Sequence, residues 1–240
     1  MNTLITAIAK AQKMVVFTGA GVSTLSGLPD FRGKSGLYTK YDADKIFNLE
    51  YFYNDPGYYY TNAKELIYSD REIQPNIVHT ECARLEQAGK VKGVITQNID
   101  MLHQKAGSHM VYEIHGSPWH HHCLSCGKEY TYEWIREQVQ NDMVPRCACR
   151  GLIKPDITFF GEMLPEETLE QAIDLAGKAD LMLVVGTSLV VQPAASIPFY
   201  TLDNGGKLII INDGFTPLDH FSSQRYTDIA TCFKAIAAIA

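Results

Sequence analysis

Several features that would place a chain outside the soluble globular enzymes are missing here. No run of 18 apolar residues occurs, and Met1 to Lys13 lacks the basic stretch and apolar core of a secretory signal peptide. Basic residues are in the minority, 21 against 27 acidic ones, so the formal charge is -6 and no broad cationic face is expected for nucleic acid. These absences predict a cytoplasmic protein that binds neither a membrane nor nucleic acid directly.

Internal repeats and low-complexity linkers are absent as well. Hydrophobic residues make up 46% and charged residues 20% of the 240 positions, which is close to ordinary globular usage and argues against disorder. The length suits one domain with a smaller domain inserted in it.

Cysteine is scarce outside one stretch of the chain. Cys82 and Cys232 stand alone, and the remaining four crowd together as Cys123, Cys126, Cys147 and Cys149. Clustering of this kind predicts a metal site rather than disulfides. Four thiolates would close a tetrahedral zinc sphere, so the expected zinc is structural. The second pair, C-x-C, is one residue shorter than the usual knuckle, and the triplet His120-His121-His122 offers a competing ligand.

Continuous apolar runs predict buried strands. The runs are Met14–Thr18, Val91–Thr96, Val111–Ile114, Ile157–Phe160, Leu181–Val185 and Leu208–Ile211. They do not alternate with polar residues, which is typical of parallel strands covered on both faces. Helix-like stretches over 165–178 and 193–203 separate the last three runs, as in βαβ units. The sequence therefore predicts an α/β fold with a Rossmann-like parallel sheet.

Two regions interrupt this alternation of strands and helices. One is the tyrosine-rich stretch 31–75, and the other is 119–154, which holds the cysteine cluster. We expect the two to form a small inserted zinc-binding domain. The large NAD-binding domain would then consist of residues 1–30, 76–118 and 155–240.

A glycine-rich turn follows the first predicted strand. At this place an α/β sheet offers backbone N–H groups to a pyrophosphate. Gly19, Gly21 and Gly27 have the spacing G-x-G-x5-G, which differs from the dehydrogenase fingerprint and disfavours hydride transfer. On these residues alone, a tight turn without a ligand is an equal alternative.

The fourteen residues from Gly19 to Arg32 resemble the first signature of the sirtuins, the NAD-dependent protein deacylases. Further blocks follow in the order of that family: Thr96-Gln97-Asn98-Ile99-Asp100 with Leu102-His103, His115-Gly116, the four cysteines, Lys154-Pro155-Asp156, Phe160-Gly161-Glu162, Gly186 to Val191, and Ile211-Asn212. The resemblance implies a Rossmann-like domain with a small zinc module, and NAD and acyl-lysine in the cleft between them. Since little sequence flanks these blocks, we expect a minimal, bacterial form.

The resemblance also implies roles for individual residues. His115 resembles the catalytic histidine, a general base for a ribose hydroxyl, although a lone histidine is more often structural. Asn98 and Asp100 resemble the catalytic residues lining the nicotinamide pocket. Further contacts to NAD are implied for Gly19, Ala20, Gly21, Ser23, Asp30, Phe31, Arg32, Gln97, Gly186, Thr187, Ser188 and Asn212, with Asp228 and Ile229 near the adenine.

The expected reaction is NAD-dependent removal of acetyl groups from lysine side chains of protein substrates. No arginine lies between Arg32 and Arg71 to pair with an acidic acyl group, which favours a neutral one, although Lys40 could substitute. Two alternatives stay open, namely mono-ADP-ribosyl transfer to protein and a non-catalytic sensor of NAD or ADP-ribose.

Overall fold

The computed structural model describes residues 1–30, 36, 42–69 and 71–238. Its largest element is a six-stranded sheet in which each neighbouring pair is parallel, with the order β3-β2-β1-β7-β8-β9. The strands are β1 (Met14–Thr18), β2 (Val91–Thr96), β3 (Val111–Glu113), β7 (Leu181–Val185), β8 (Lys207–Ile211) and β9 (Ser222–Tyr226).

Strand order reverses between β1 and β7. From β1 the chain builds outward through β2 to β3, and later from β7 through β8 to β9. In open α/β sheets, ligands bind at such a switch point, beyond the carboxyl ends of the strands. Here those ends are level, because Thr18 pairs with both Thr96 and Val185 in the register of the sheet.

The apolar strands are buried because helices cover both faces of this sheet. All five residues of β1 and of β7 are buried. One core cluster includes Leu4 and Phe233, and a second, on alternate strand residues, includes Phe17 and Ala176. The helices around the sheet are α1 (Asn2–Lys10), α5 (Ile77–Gln87), α6 (Leu102–Lys105), α8 (Glu166–Gly177), α9 (Ile197–Asp203) and α10 (Ile229–Ala237).

A second, three-stranded antiparallel sheet has the order β5-β4-β6, with β4 (Gly116–Cys123), β5 (Glu129–Thr131) and β6 (Ile153–Ile157). Four helices lie beside it in the chain: α2 (Ala43–Ile46), α3 (Leu49–Asn54), α4 (Pro56–Leu66) and α7 (Tyr132–Gln140). Phe47 and Phe52 pack edge to face on Phe159, and Tyr59 packs on it with tilted rings, within a third core cluster. Tyr59, Tyr60 and Tyr68 are therefore core residues, whereas Tyr53 is exposed.

The α/β class and the parallel sheet are confirmed, with two differences in the strands. Ile157–Phe160 was wrong as a strand of the large sheet, because its first residue ends β6 of the small sheet and the rest is not strand. Strand β9 was missed, because its sequence SSQRY is polar and lies at the edge of the sheet. The predicted division of the chain into domains stays a prediction. Among the described residues, no helix is both long and apolar enough to cross a membrane.

Candidate active site

The glycine-rich turn packs closely against the residues that follow β7. The Gly21 amide donates to the Gly186 carbonyl at 2.8 Å. A Cβ added at Gly21 would lie 2.8 Å from Gly186 Cα, and one at Gly19 would lie 2.7 Å from Thr187 Cβ. Both positions therefore require glycine for packing at the switch point. The turn continues into a 3-10 helix, Ala20–Ser26, rather than an α-helix.

A cleft with a volume of about 700 Å³ opens at this point, within the range usual for small-molecule sites. Most of the residues implied to contact NAD line it: Gly19, Ala20, Gly21, Asp30, Gln97, Asn98, His115, Gly186, Thr187, Ser188, Asn212 and Ile229. They come from the ends of several strands, which explains why they are distant in sequence. Their roles stay predictions.

The other implied residues lie elsewhere. Ser23 and Asp100 do not line the cleft surface but are hydrogen-bonded beside it. Asp228 caps helix α10, accepting from the Thr231 amide at 2.9 Å and from the Thr231 hydroxyl at 2.7 Å. Phe31 and Arg32 lie outside the described residues, as does Lys40.

His115 follows β3 and reaches the cleft with one ring nitrogen already engaged. Its Nδ1 lies 2.9 Å from the Gln97 carbonyl oxygen, which can only accept, so Nδ1 carries the proton. The Nε2 atom is then the basic nitrogen. Burial lowers the pKa of His115 below its usual value, although the hydrogen bond to Gln97 raises it. The ring is therefore a neutral base at neutral pH.

Asn98, Ser23 and Asp100 form a connected group beside His115. The Asn98 side-chain amide donates to the Gly19 carbonyl at 3.2 Å and to the Ser23 hydroxyl at 3.1 Å. The Ser23 hydroxyl in turn donates to Asp100 Oδ2 at 2.5 Å. The chain after β2 is thus tied to the glycine-rich turn.

Gln97 and Thr187 join the end of β2 to the end of β7. The Gln97 side-chain amide donates to Thr187 Oγ1 at 2.8 Å, which also accepts from the Leu189 amide at 3.2 Å. Gln97 therefore orients Thr187 through its side chain and His115 through its carbonyl.

The cleft also has an apolar wall, formed by Phe47, Ile99, Ile157, Phe159, Leu164 and Val191. Ile99 and Val191 lie in family blocks of the sequence, whereas nothing in the sequence placed Phe47 or Leu164 at the site. Phe47 reaches it from a region with no motif, where its amino-acid type alone carried no signal. An apolar wall in the same cleft as a histidine base would accept a hydrocarbon chain such as that of an acylated lysine.

Lys154 and Glu162 support this wall with an ion pair at 2.8 Å, in which Lys154 is buried and Glu162 is partly exposed at the cleft. The Lys154 side chain is 3% exposed, and its Nζ also donates to the Ile157 carbonyl at 2.7 Å. Glu162 accepts from the Phe159 amide at 2.6 Å. The pair therefore fixes the turn that carries Phe159. Sequence analysis had noted both residues without assigning them this contact.

The four clustered cysteines converge, and their sulfur atoms all lie within 4.8 Å of one another. Three Sγ–Sγ distances are 3.5 to 3.6 Å, for Cys123–Cys149, Cys126–Cys147 and Cys126–Cys149. A tetrahedron with Zn–S bonds of about 2.3 Å has edges of about 3.8 Å. The set therefore fits a structural zinc ion, and the short C-x-C pair supplies both of its sulfurs.

The four thiols change one another's pKa because they lie so close together. A hydrogen bond from Tyr130 contributes most to lowering the pKa of Cys147 to about 6. A backbone hydrogen bond from Gly151 acts to lower the pKa of Cys149, but the neighbouring sulfurs raise it to about 12. Four thiolates this close repel one another unless a cation balances them. His122 contacts Asp156 instead, so the described residues show no histidine in the cluster.

Comparison with known proteins supports the same family as the site residues do. Residues 19–193 match the Sir2 family. An NAD-dependent protein deacetylase of Thermotoga maritima is 44% identical over 94% of this chain and 92% of its own length. An NAD-dependent protein deacylase of Pyrococcus furiosus is 44% identical over 89% of this chain and 88% of its own length.

Solved structures of Sir2 proteins are also similar to this chain over nearly its whole length. A Sir2 chain solved with a p53 peptide and NAD+ has a TM-score of 0.90 at 41% identity, covering all of this chain and 96% of that one. Another, with a deacetylated p53 peptide and 3'-O-acetyl ADP ribose, has a TM-score of 0.92 at 42% identity, covering 99% of this chain and 96% of that one. This chain therefore belongs to the Sir2 family.

Proposed function

We propose that this protein removes acetyl groups from lysine side chains of other proteins, with NAD as the co-substrate and nicotinamide and O-acetyl-ADP-ribose as products. One observation carries the proposal. His115 presents a neutral Nε2 to a cleft at the switch point of the sheet, where the glycine-rich turn meets β7. Relatives with that activity align over nearly the whole chain.

When bound, NAD supplies the ADP-ribose that receives the acetyl group. His115 Nε2 accepts a proton from the ribose hydroxyl, a contribution typically worth about 10²- to 10⁴-fold in rate. Asn98 and Asp100 would hold the nicotinamide end, supported by Ser23. Thr187 and Asn212, at the ends of β7 and β8, would hold the phosphates and the adenosine.

The acyl-lysine side chain would pass along the wall of Phe47, Phe159 and Val191. A neutral acetyl group suits this wall because a carboxylate there would be desolvated. The preference for acetyl over succinyl stays a prediction, as does a cytoplasmic location.

A zinc ion bound by Cys123, Cys126, Cys147 and Cys149 would hold the end of β4 against the loop before β6. All four positions are protein ligands, so no site is left for a reactive water. Its role is to hold the small sheet that carries one wall of the cleft.

The test incubates the protein with acetyl-lysine and succinyl-lysine peptides, with and without NAD, and follows peptide mass and released nicotinamide. We expect NAD-dependent loss of acetyl matched one to one by nicotinamide. His115→Ala should abolish turnover while NAD still binds, and His220→Ala, at an exposed histidine outside the cleft lining, should not.

Other outcomes would identify the alternatives. Nicotinamide release with ADP-ribose attached to protein and the acetyl group intact would indicate mono-ADP-ribosyl transfer. Binding of NAD without release of nicotinamide from any peptide would indicate a sensor. Equal efficiency on succinyl and acetyl peptides would contradict the neutral acyl preference.

A further inference from the structure

A chain of hydrogen bonds among buried side chains lies directly behind the nicotinamide end of the cleft. Thr18 and Thr96 are the last residues of β1 and β2, and their exposed fractions are 0% and 2%. The Thr18 hydroxyl donates to Thr96 Oγ1 at 2.9 Å. Its only proton is then used, so Thr18 Oγ1 accepts from the ring nitrogen 3.1 Å away, His103 Nε2.

The other end of this chain is Asn98. Thr96 Oγ1 also accepts the Asn98 backbone amide at 3.0 Å. The Asn98 side chain holds Gly19 and Ser23, as described above. Three successive hydrogen bonds therefore connect His103 to a residue of the cleft, and each donor and acceptor in them is assigned. We call this set the His103 relay: His103, Thr18, Thr96 and Asn98.

Helix α6 places His103 for this contact. Asp100 accepts the Leu102 amide through Oδ1 at 3.0 Å and the Ser23 hydroxyl through Oδ2. The carboxylate thus starts the helix that carries His103 and contacts the glycine-rich turn at the same time. A shift of His103 would therefore reach Asn98 through the relay and Asp100 through the helix.

A second buried imidazole, His79, packs against His103 with ring centroids 4.8 Å apart. His79 Nδ1 accepts the Asn76 amide at 3.2 Å. The Asn76 side chain donates to the Val22 carbonyl at 2.9 Å and to Ser26 Oγ at 2.8 Å. The two rings therefore support two parts of the pocket: His79 supports the 3-10 helix through Asn76, and His103 supports the segment after β2.

Both rings stay neutral at working pH. Burial lowers the pKa of His103 to about 3 and that of His79 to about 4. The direction of donation along the relay is therefore the same across the range in which an enzyme of this type would be assayed.

The polar character of this cluster needs a functional explanation. Elsewhere β1 and β2 are apolar in the core, with Val15, Val16, Phe17, Val94 and Ile95 buried. Well-packed apolar residues in place of a buried polar group are often neutral or stabilising. Along β1 and β2, the buried hydroxyls are at Thr18 and Thr96, where the two strands reach the cleft.

We propose that His103 is a positioning residue, which fixes Asn98 through the hydroxyls of Thr18 and Thr96 without touching either substrate. The role rests on the proposed deacetylation. It predicts that the loss of one relay bond loosens Asn98 and lowers kcat, because geometry at the reacting centre limits the rate.

The test compares His103→Leu, which cannot donate, with His103→Gln, whose side-chain amide can. We expect kcat to fall about tenfold in His103→Leu, the size of one hydrogen bond, with the peptide KM within about twofold. His103→Gln should recover most of the loss. Thr18→Val keeps the shape of the side chain and should reproduce the defect.

The double variant His103→Leu/Thr18→Val distinguishes a relay from two separate packing defects. Residues that act in one chain are not additive, so the double variant should be about as slow as either single one. Thr201→Val is the matched control, since this buried threonine donates to the Ala176 carbonyl at 2.7 Å, far from the relay. It should lower the melting temperature and leave kcat unchanged.

Three outcomes overturn the role: full kcat in His103→Leu beside an active wild-type protein, additive losses in the double variant, or no recovery in His103→Gln. If His103→Leu does not fold, Thr18→Val and Thr96→Val carry the same comparison. A wild-type protein without NAD-dependent deacetylation would overturn the proposed function, and the role of His103 with it.

Discussion

The two sheets of this protein are held together in different ways. The six-stranded sheet is parallel and buries continuous runs of valine, isoleucine and leucine between helices. The three-stranded sheet is antiparallel, and its core is aromatic, with ring centroids such as those of Phe52 and Tyr59 5.4 Å apart. At its far end, four cysteines take the place of further apolar core.

This difference matters because the cleft draws on both sheets. Gly19, Asn98 and His115 reach it from the large sheet, whereas Ile157 and Phe159 reach it from β6 and the turn after it. Burial and hydrogen bonds fix the half that carries the chemistry, whereas we expect the half that faces the substrate to depend on a bound zinc ion as well. The two halves should therefore respond to different perturbations.

Removal of zinc should give the largest difference between the sheets. Structural zinc contributes about 10 kcal/mol or more in small zinc domains, and Cys147→Ser removes one of four ligands here. We expect the small sheet to unfold while the large sheet persists, with loss of deacetylation. Limited proteolysis with mass spectrometry should show cuts confined to 119–154 and the segments around it.

Cys82→Ala is the control for that variant, because Cys82 is buried in the large sheet's core and lies outside the cluster. It should keep a full equivalent of zinc. Retention of zinc and activity in Cys147→Ser would contradict the four-cysteine site.

Loss of the Lys154 charge should be the next largest effect. Lys154→Met leaves the partly buried Glu162 carboxylate without its cation, so it should lower the free energy of unfolding by about 2 kcal/mol in urea titrations. Lys178→Met is the matched control, because its pair with Asp174 is exposed and should be worth less than about 0.5 kcal/mol. Equal losses in the two variants would contradict a special role for the pair.

The sequence predicted the large sheet well because its strands are buried on both faces, so each is a continuous apolar run. It failed at β9, where a polar edge strand has no such run. It also misplaced Ile157, since an apolar run does not tell which sheet a strand joins. Tertiary contacts determine which sheet a strand joins, and the contact at Gly116 is one example. A Cβ there would clash with the Asp156 carbonyl oxygen, so the close pairing of β4 with β6 needs glycine.

The candidate site likewise has some residues that the sequence predicted and others that it did not. The family resemblance pointed to the residues with motifs, and spacing alone pointed to the cysteines. Neither of them could predict the His103 relay. In the sequence, Thr18 and Thr96 are two unrelated residues at the ends of strands, and only the folded sheet brings their hydroxyls within 2.9 Å.

A smaller effect should come from Glu113 at the edge of the large sheet. Burial raises the pKa of Glu113 to about 7, although a hydrogen bond with Gln104 opposes this. Between the unfolded pKa of about 4.3 and 7, the folded state binds more protons than the unfolded state, so stability falls as the pH rises. Glu113→Gln should remove this loss, because glutamine does not titrate. It should melt at a higher temperature than the wild-type protein at pH 8 and at about the same temperature at pH 4. A constant difference at both pH values would contradict this assignment.

The smallest expected effect is on the pH at which kcat falls on the acid side of its pH profile, and it depends on His115. Because burial lowers its pKa, the ring stays unprotonated below the ordinary value of about 6.5 and loses its basic form only at lower pH. The kcat measured with saturating acetyl peptide and NAD should therefore reach half of its maximum below pH 6.5. Glu113→Gln should leave this midpoint in place, because the large sheet keeps His115 bonded to Gln97 in both proteins. A midpoint above 6.5 would mean that the base is not this buried, neutral imidazole.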